Sequence, residues 1–287
     1  MSQNILRSDK TSCLTLFSMS ARLCYGLKTA FGNCRVLKFI SLVLIIFVSV
    51  CPVCASTENT DSLCLGRELS AEQFKWRKLI APAALVTVGA IGVNNGWFKH
   101  INSDVKADMK HMRGSCYYHA DDYLQYLTAA SYLGVGFIPG NKGNHNFKER
   151  MCAGVTAYAA MALVTNVTKV IVRERRPDNS ARNSFPSGHT ATVFTGAELM
   201  RLEYGPWIGL GGYAVATGVA FLRLYNNRHW LNDVIAGAGI GILCANIGYW
   251  LLPFERKLFK IKPGKQLVVM PSVSPCISGG VTLMAEF

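Results

Sequence analysis

Three short polar motifs interrupt an otherwise apolar, helix-forming chain between residues 169 and 233. The first is a lysine followed seven residues later by Arg-Pro, the second is a Pro-Ser-Gly-His turn, and the third spaces an arginine, a histidine and an aspartate. Their key members are Lys169, Arg176, Ser187, Gly188, His189, Arg223, His229 and Asp233. Cations among apolar helices are costly unless they are paired, so this pattern indicates that an anion binds among them.

The apolar runs around these motifs predict a six-helix bundle. Hydrophobic residues make up 50% of the 287 residues and charged residues only 16%, which is more apolar than an average soluble domain. The predicted helices cover residues 79–93, 121–137, 151–173, 188–204, 207–224 and 229–253. Residues 97–118, which are rich in charge, are predicted to be a solvated connection that is partly helical.

The chain divides into four parts where its composition changes. Residues 1–55 hold a basic stretch and an apolar run ending in Val53-Cys54-Ala55, which favours a secretory signal cleaved after Ala55 over an uncleaved anchor helix. Residues 56–77 are a polar lead-in, residues 78–253 the helical domain, and residues 254–287 a basic tail with short extended segments.

The net charge of +13 indicates anionic partners such as phosphates or lipid headgroups. Nucleic acid is not expected, because the sequence has no zinc-finger spacing, no ribonucleoprotein signature and no basic-aromatic stripe. The ten cysteines are scattered without metal-ligand spacing, so a disulfide framework is not predicted. His111, His119, Asp121 and Asp122 also lack a second ligand cluster and are interpreted as a solvated face rather than a metal site.

The first two motifs place cations and backbone donors at helix ends. Lys169, Arg173 and Arg176 are predicted to share one face at the end of the third helix, which Pro177 stops. Gly188 would allow a ligand to approach the N–H groups that open the fourth helix. Each feature alone also fits an ordinary helix end.

The third motif supplies reactive groups. His229 and Asp233 lie four residues apart, so the carboxylate could accept a proton from Nδ1 and leave Nε2 as a nucleophile. Arg223 ends the fifth helix and could turn to the same place. In an up-down bundle, the ends of the third and fifth helices and the starts of the fourth and sixth share one side. The motifs therefore predict a single phosphate-handling site.

The order and spacing of the motifs resemble those of the type 2 phosphatidic acid phosphatase and vanadium haloperoxidase superfamily, which includes bacterial non-specific acid phosphatases. The resemblance covers roughly residues 75–253 and implies an all-α six-helix bundle of that type, flanked here by the signal or anchor segment and the extended tail. One departure is Leu222, where the family usually has serine before the arginine; it affects an auxiliary hydrogen bond.

The resemblance also implies a role for each motif residue. His229 attacks phosphorus and becomes a phosphohistidine, Asp233 orients it, and His189 acts first as general acid and then as base. The phosphate oxygens are held by Lys169, Arg176, Arg223, Ser187 and the backbone N–H of Gly188. Arg173 is a further candidate for phosphate binding, which rests on its predicted helical position and not on the resemblance. No metal or other cofactor is expected, because fixed cations neutralise the phosphate.

The implied reaction is hydrolysis of a phosphomonoester or pyrophosphate on a lipid that is phosphatidate-like, an isoprenyl diphosphate or lipid A. The alternatives are a vanadate-dependent haloperoxidase-like enzyme, an acid phosphatase for soluble phosphomonoesters, and a catalytically silent membrane scaffold. We expect membrane association in a bacterial-type cell envelope, with the site on the periplasmic side. Glu198 and Arg201 make the short fourth helix a poor span, which favours a peripheral or shallowly inserted bundle.

Overall fold

The computed structural model describes residues 74–139, 141 and 143–261, together with the backbone of two strands near the C-terminus. The predicted signal or anchor segment therefore lies outside the described residues, as does most of the predicted lead-in. The elements are α1 (Arg77–Asn94), α2 (Gly96–Arg113), α3 (Ala120–Leu124), α4 (Leu127–Gly134), α5 (Phe147–Val172), α6 (Gly188–Tyr204), α7 (Pro206–Tyr225), α8 (Leu231–Phe259), β1 (Leu267–Ser274) and β2 (Ile277–Ala285). The two strands pair antiparallel as a hairpin.

Helix α8 is the centre of the bundle and packs against α1, α5 and α6. Glycines allow its close approach to α6, since a Cβ atom on Gly237 would lie 2.6 Å from the carbonyl oxygen of Ser187. A Cβ atom on Gly241 would lie 2.5 Å from the carbonyl oxygen of Ala191. Both distances are shorter than real side chains reach, so glycine is required at both positions. This packing holds the start of α6 against the start of α8.

Towards the C-terminal half of α8, the bundle has an apolar core of alanines, leucines and a methionine that also encloses two tyrosines. The buried hydroxyl groups of Tyr132 and Tyr249 are hydrogen-bonded at 3.0 Å, and Tyr249 also donates to Glu203 at 2.7 Å. Glu203 in turn lies 2.6 Å from Nδ1 of His145, and both side chains are fully buried. These polar groups satisfy one another, which fixes the loop before α5 onto the end of α6.

Residues 97–118 were predicted to be a solvated connection that is partly helical; the helical part is a complete helix, α2 (Gly96–Arg113), and one of its faces is buried rather than solvated. Asn95 caps it by accepting a hydrogen bond from the backbone N–H of Trp97 at 2.9 Å. The buried residues of α2 recur at helical spacing, and they are Phe98, Asn102, Val105 and Met109. This narrow stripe is surrounded by charged side chains, which concealed it in the sequence.

Other predicted helix boundaries also differ. The segment predicted as one helix from 121 to 137 is divided into α3, α4 and a 3-10 turn at Val135–Phe137. Helix α5 stops at Val172, where Arg173 adopts a left-handed conformation with φ 50°. Helix α8 continues past Pro253 to Phe259 instead of ending there, and the added turns are tied to α5. In that tie, Nε of Arg256 donates to Glu149 at 2.6 Å.

Among the described helices, α5, α7 and α8 are long and apolar enough to cross a membrane. Helices α1 and α2 meet that criterion only as a pair, which is bent by 91°. The short helix α6 is outside this set, and its Glu198 and Arg201 pair with each other at 2.6 Å.

Candidate active site

His229 is buried in the site, with only 3% of its surface exposed. Its Nδ1 atom lies 2.9 Å from the carbonyl oxygen of Ser184 and 3.4 Å from Oδ2 of Asp233. Because a carbonyl only accepts, Nδ1 must carry the proton, which leaves the lone pair on Nε2. The sequence predicted that Asp233 would accept the hydrogen bond from Nδ1 on a shared helical face. The Ser184 carbonyl accepts it instead, because His229 precedes α8, which begins at Leu231.

Asp233 is fully buried and is held by neighbours on both sides. It accepts hydrogen bonds from the hydroxyl of Ser184 at 2.5 Å, the backbone N–H of Trp230 at 2.9 Å and the amide of Asn232 at 3.1 Å. Asn232 also donates to Glu174 at 3.3 Å. The carboxylate is thus held in place beside the imidazole.

Glu174 lies in the loop after α5 and has a protonation state that suits this arrangement. Burial and the neighbouring charge of Asp233 raise the pKa of Glu174 to about 8. A protonated Glu174 can stand beside Asp233 without adding a second negative charge. Glu174 and Ser184 were not singled out in the sequence, because neither belongs to a motif.

Three cations surround His229. Burial, followed by the positive charges of Arg223, Arg176 and Lys169, holds the pKa of His229 well below its ordinary value. A Cβ atom added to Gly188 would lie 3.4 Å from Nζ of Lys169, so this ammonium group is next to the N-terminus of α6. At neutral pH the imidazole is therefore neutral while the groups around it are positive, which suits a nucleophile that attacks an anion.

Arg176 does not share a helical face with Lys169, as was predicted, because α5 ends at Val172. It lies in the following loop, where its backbone N–H donates to the carbonyl of Ala181 at 3.0 Å. Within the described part of the chain, the buried Nε atoms of Arg176 and Arg223 have no hydrogen-bond partner. Buried donors are rarely left unpaired, so an oxyanion would satisfy them.

Ser187 forms the N-cap of α6 and is fully buried. Its Oγ atom accepts a hydrogen bond from the hydroxyl of Thr190 at 2.9 Å, which leaves its own proton for another acceptor. Its backbone N–H donates to the carbonyl of Asp233 at 3.0 Å. The second motif is in this way attached directly to the third, and the first N–H groups of α6 are available to an anion.

Two carboxylates of α3, interpreted from the sequence as part of a solvated face, lie at this site. Asp121 is buried and accepts from Nη1 of Arg223 at 2.6 Å, which corrects that interpretation. Asp122 is half exposed, and its Oδ1 atom lies 3.0 Å from Nε2 of His189 and 3.4 Å from Nη1 of Arg223. The pKa of His189 is lowered by burial and by Arg223, while Asp122 opposes that shift.

Arg173 stands apart from these groups. Its side chain is exposed, and its Nε atom donates to the carbonyl of Val170 at 3.1 Å within its own helix end. The structure therefore brings together the other eight residues predicted from the motifs. A neutral buried imidazole, a second imidazole paired with a carboxylate, and unpaired guanidinium donors can together bind a phosphoryl group and transfer it.

Comparison with known proteins gives a family model that matches the region of the motifs, and several similar proteins. The PAP2 superfamily model matches residues 150–257. A lipid A 1-phosphatase of Porphyromonas gingivalis is 39% identical over 143 residues, which cover 48% of this chain and 32% of that protein. An undecaprenyl-diphosphatase of Sulfolobus acidocaldarius is 30% identical over 109 residues, covering 33% of this chain and 53% of that protein. The chain thus matches a third to about half of these relatives' lengths.

One solved structure also aligns with this chain. It is the PAP2-type phosphatidylglycerolphosphate phosphatase of Bacillus subtilis, with a TM-score of 0.42 and 19% identity. The alignment covers 63% of this chain and 98% of that one.

Proposed function

From the premise that this chain belongs to the PAP2 superfamily through residues 150–257, we propose that it is a phosphatase acting on a phosphorylated lipid without a metal. The observation that carries the proposal is the state of His229. Its Nδ1 proton is held by the Ser184 carbonyl at 2.9 Å, and cations enclose it. A group of this kind attacks phosphorus rather than carrying a proton.

In the first half of the reaction, Nε2 of His229 attacks phosphorus as the bond from phosphorus to the leaving oxygen breaks. That oxygen takes its proton from protonated His189. The negative charge on the remaining phosphate oxygens is stabilised by Lys169, Arg176 and Arg223, with Ser187 and the Gly188 N–H. The imidazolium character that develops on His229 is stabilised by Asp233.

In the second half, neutral His189 accepts a proton from water as the water oxygen attacks the phosphohistidine. The bond between nitrogen and phosphorus breaks, and its electron pair returns to Nε2 of His229. Inorganic phosphate leaves, and both histidines regain their starting protonation states.

The lipid part of the proposal is supported by the helices that could span a membrane and by the names of the two relatives. At the site end of α5, Val170 is 65% exposed and Ile171 is 74% exposed, next to Lys169. An acyl or isoprenyl chain could lie against this apolar surface while its phosphate reaches the cations. The substrate would then be a phosphomonoester or pyrophosphate on a phosphatidate-like lipid, an isoprenyl chain or lipid A.

We place the enzyme in a bacterial cell envelope with its site on the periplasmic side. This placement rests on the predicted export signal in residues 1–55. Protease treatment of intact spheroplasts tests it, using a cleavage site introduced in the exposed segment around Tyr117. Cleavage is expected without lysis; protection until lysis would contradict the proposed side.

Phosphate release from lipid phosphates by the purified protein tests the activity itself. We expect His229→Ala to abolish release and orthovanadate, a phosphate mimic, to inhibit it. His111→Ala is a matched control, because this histidine is exposed on α2 and outside the site. Full turnover by His229→Ala would contradict the proposed nucleophile, and vanadate-dependent halide oxidation would favour the haloperoxidase alternative.

A further inference from the structure

The carboxylate of Asp122 lies beside the histidine that the proposed function assigns as the acid. Its Oδ1 atom is 3.0 Å from Nε2 of His189, the proposed acid. The adjacent Asp121 is paired with Nη1 of Arg223 at 2.6 Å. Asp122 lies farther from the same nitrogen, at 3.4 Å, and is half exposed. Asp122 therefore places a carboxylate beside the proposed acid, less closely paired with Arg223 than Asp121 is.

The surroundings of His229 are positive. Lys169, Arg176 and Arg223 all act on the buried imidazole of His229, around the position of the transferred phosphoryl group. A substrate thus meets cations at the phosphoryl group that is transferred and a carboxylate at the group that departs. This polarity distinguishes the two substrate types that the proposed function leaves open.

A diphosphate and a phosphomonoester present different leaving groups to Asp122. Cleavage of a diphosphate expels a phosphate group that stays negatively charged, and like charges about 4–6 Å apart repel each other. A repulsion of about 1.4 kcal/mol would slow the reaction about tenfold. Cleavage of a monoester expels an alcohol that is neutral once His189 has protonated it. Repulsion from Asp122 therefore acts against diphosphates alone.

The same carboxylate assists the monoester. Asp122 raises the pKa of His189 against the effects of burial and Arg223, so it favours the protonated acid. An alcohol needs that proton to leave, whereas a phosphate is a stable leaving group without it. Both effects of Asp122 act in the same direction.

We infer that Asp122 is a specificity-determining residue that makes this site prefer phosphomonoesters of alcohols over diphosphates. The inference rests on the proposed phosphatase function and narrows its substrate class. In this inference Asp122 acts at the leaving group through its position beside His189, while Asp121 holds Arg223 and has no such role.

The test compares farnesyl monophosphate with farnesyl diphosphate, which share one tail, in the same detergent micelles. We would measure kcat/KM for both in the wild-type protein and in the neutral variants Asp122→Asn and Asp122→Ser. The ratio of monophosphate to diphosphate activity is expected to fall about tenfold in both variants. Asp178→Asn is the control: it removes a carboxylate paired with Arg228 at 3.3 Å and is expected to leave the ratio unchanged.

An unchanged ratio, with both activities reduced by the same factor, would show that Asp122 only positions His189 and would overturn the inference. A ratio that rises would overturn it as well. Failure of the wild-type protein to release phosphate from these two substrates, from phosphatidate and from lipid A would instead contradict the proposed function, and the inference with it. Because Asp122 is half exposed and two different neutral residues replace it, misfolding of one variant leaves the other to decide.

Discussion

The Nδ1 atom of His229 donates its hydrogen bond to the backbone carbonyl of Ser184, at 2.9 Å. No side-chain substitution can remove a backbone carbonyl, so the tautomer that exposes Nε2 is set by the path of the loop before α6. The carboxylate of Asp233, 3.4 Å from the same nitrogen, contributes charge rather than the hydrogen bond. Orientation and electrostatic support of the nucleophile are thus supplied by different groups.

This division of roles predicts a moderate effect for Asp233→Asn. Where a carboxylate alone sets the tautomer, its loss costs about 10⁴-fold in kcat. Here the carbonyl still holds the Nδ1 proton, so we expect a loss of roughly 10–100-fold, typical of a supporting partner. Steady-state kinetics beside His229→Ala checks this. Equal inactivity of the two variants would show that Asp233 is indispensable for the tautomer.

The two histidines predict an acidic activity profile. His229 must be neutral and His189 protonated, and burial together with Arg223 lowers the pKa of His189 below its ordinary value of about 6.5. The value of kcat/KM should therefore fall as pH rises through a midpoint below about 6.5. Asp122→Asn should move this midpoint to lower pH, because Asp122 raises the pKa of His189. A midpoint that stays in place would exclude His189 as the titrating acid.

Much of this site could be predicted because its residues stand at helix ends. Gly188 does open α6, and α7 ends at Tyr225, one residue after the predicted boundary, so the second and third motifs lie where the bundle topology placed them. The pattern of proline, glycine and apolar runs determines such ends locally. The position of Arg176 could not be derived in this way, since it depends on a loop rather than a helix.

The remaining features depend on contacts between distant parts of the chain. The carbonyl of Ser184 carries no residue-type signal, and Asp121 is 102 residues from Arg223. An Asp-Asp pair before an apolar segment looks like a helix start or a solvated face until its partners are known. The one available signal was the unbalanced positive charge of the motifs, which calls for a buried acid as well as a phosphate.

Glu174 predicts a pH dependence of stability. Its pKa rises from 4.5 in the unfolded chain to about 8 in the folded protein, so the folded state binds the proton more tightly. The resulting stabilisation is complete below pH 4.5 and is lost as pH rises through about 8. Glu174→Gln, which mimics the protonated carboxyl, should reduce this loss.

Thermal unfolding in detergent at pH 5 and pH 9 measures the Glu174 effect. Asp104→Asn, which neutralises an exposed carboxylate on α2, serves as the control and should retain the wild-type difference between the two pH values. If Glu174→Gln also retained the full difference, the titration would belong to another group.

The contact of Gly237 with Ser187 predicts that packing and catalysis are lost together. A Cβ atom at 237 would lie 2.6 Å from the carbonyl oxygen of Ser187, a backbone atom that cannot rotate away. Gly237→Ala must therefore separate α8 from α6, which would stretch the 3.0 Å hydrogen bond from the Ser187 N–H to the Asp233 carbonyl. We expect a destabilisation of about 1–3 kcal/mol and a fall in kcat/KM of more than about tenfold.

Gly211→Ala is the control for Gly237→Ala, since nothing lies within 4 Å of its Cβ position on α7. It should leave activity intact and raise stability by about 0.5–1 kcal/mol. Thermal unfolding and phosphate-release assays on both variants check this; if Gly237→Ala behaved like Gly211→Ala, the α6–α8 contact would not be what aligns the second motif with the third.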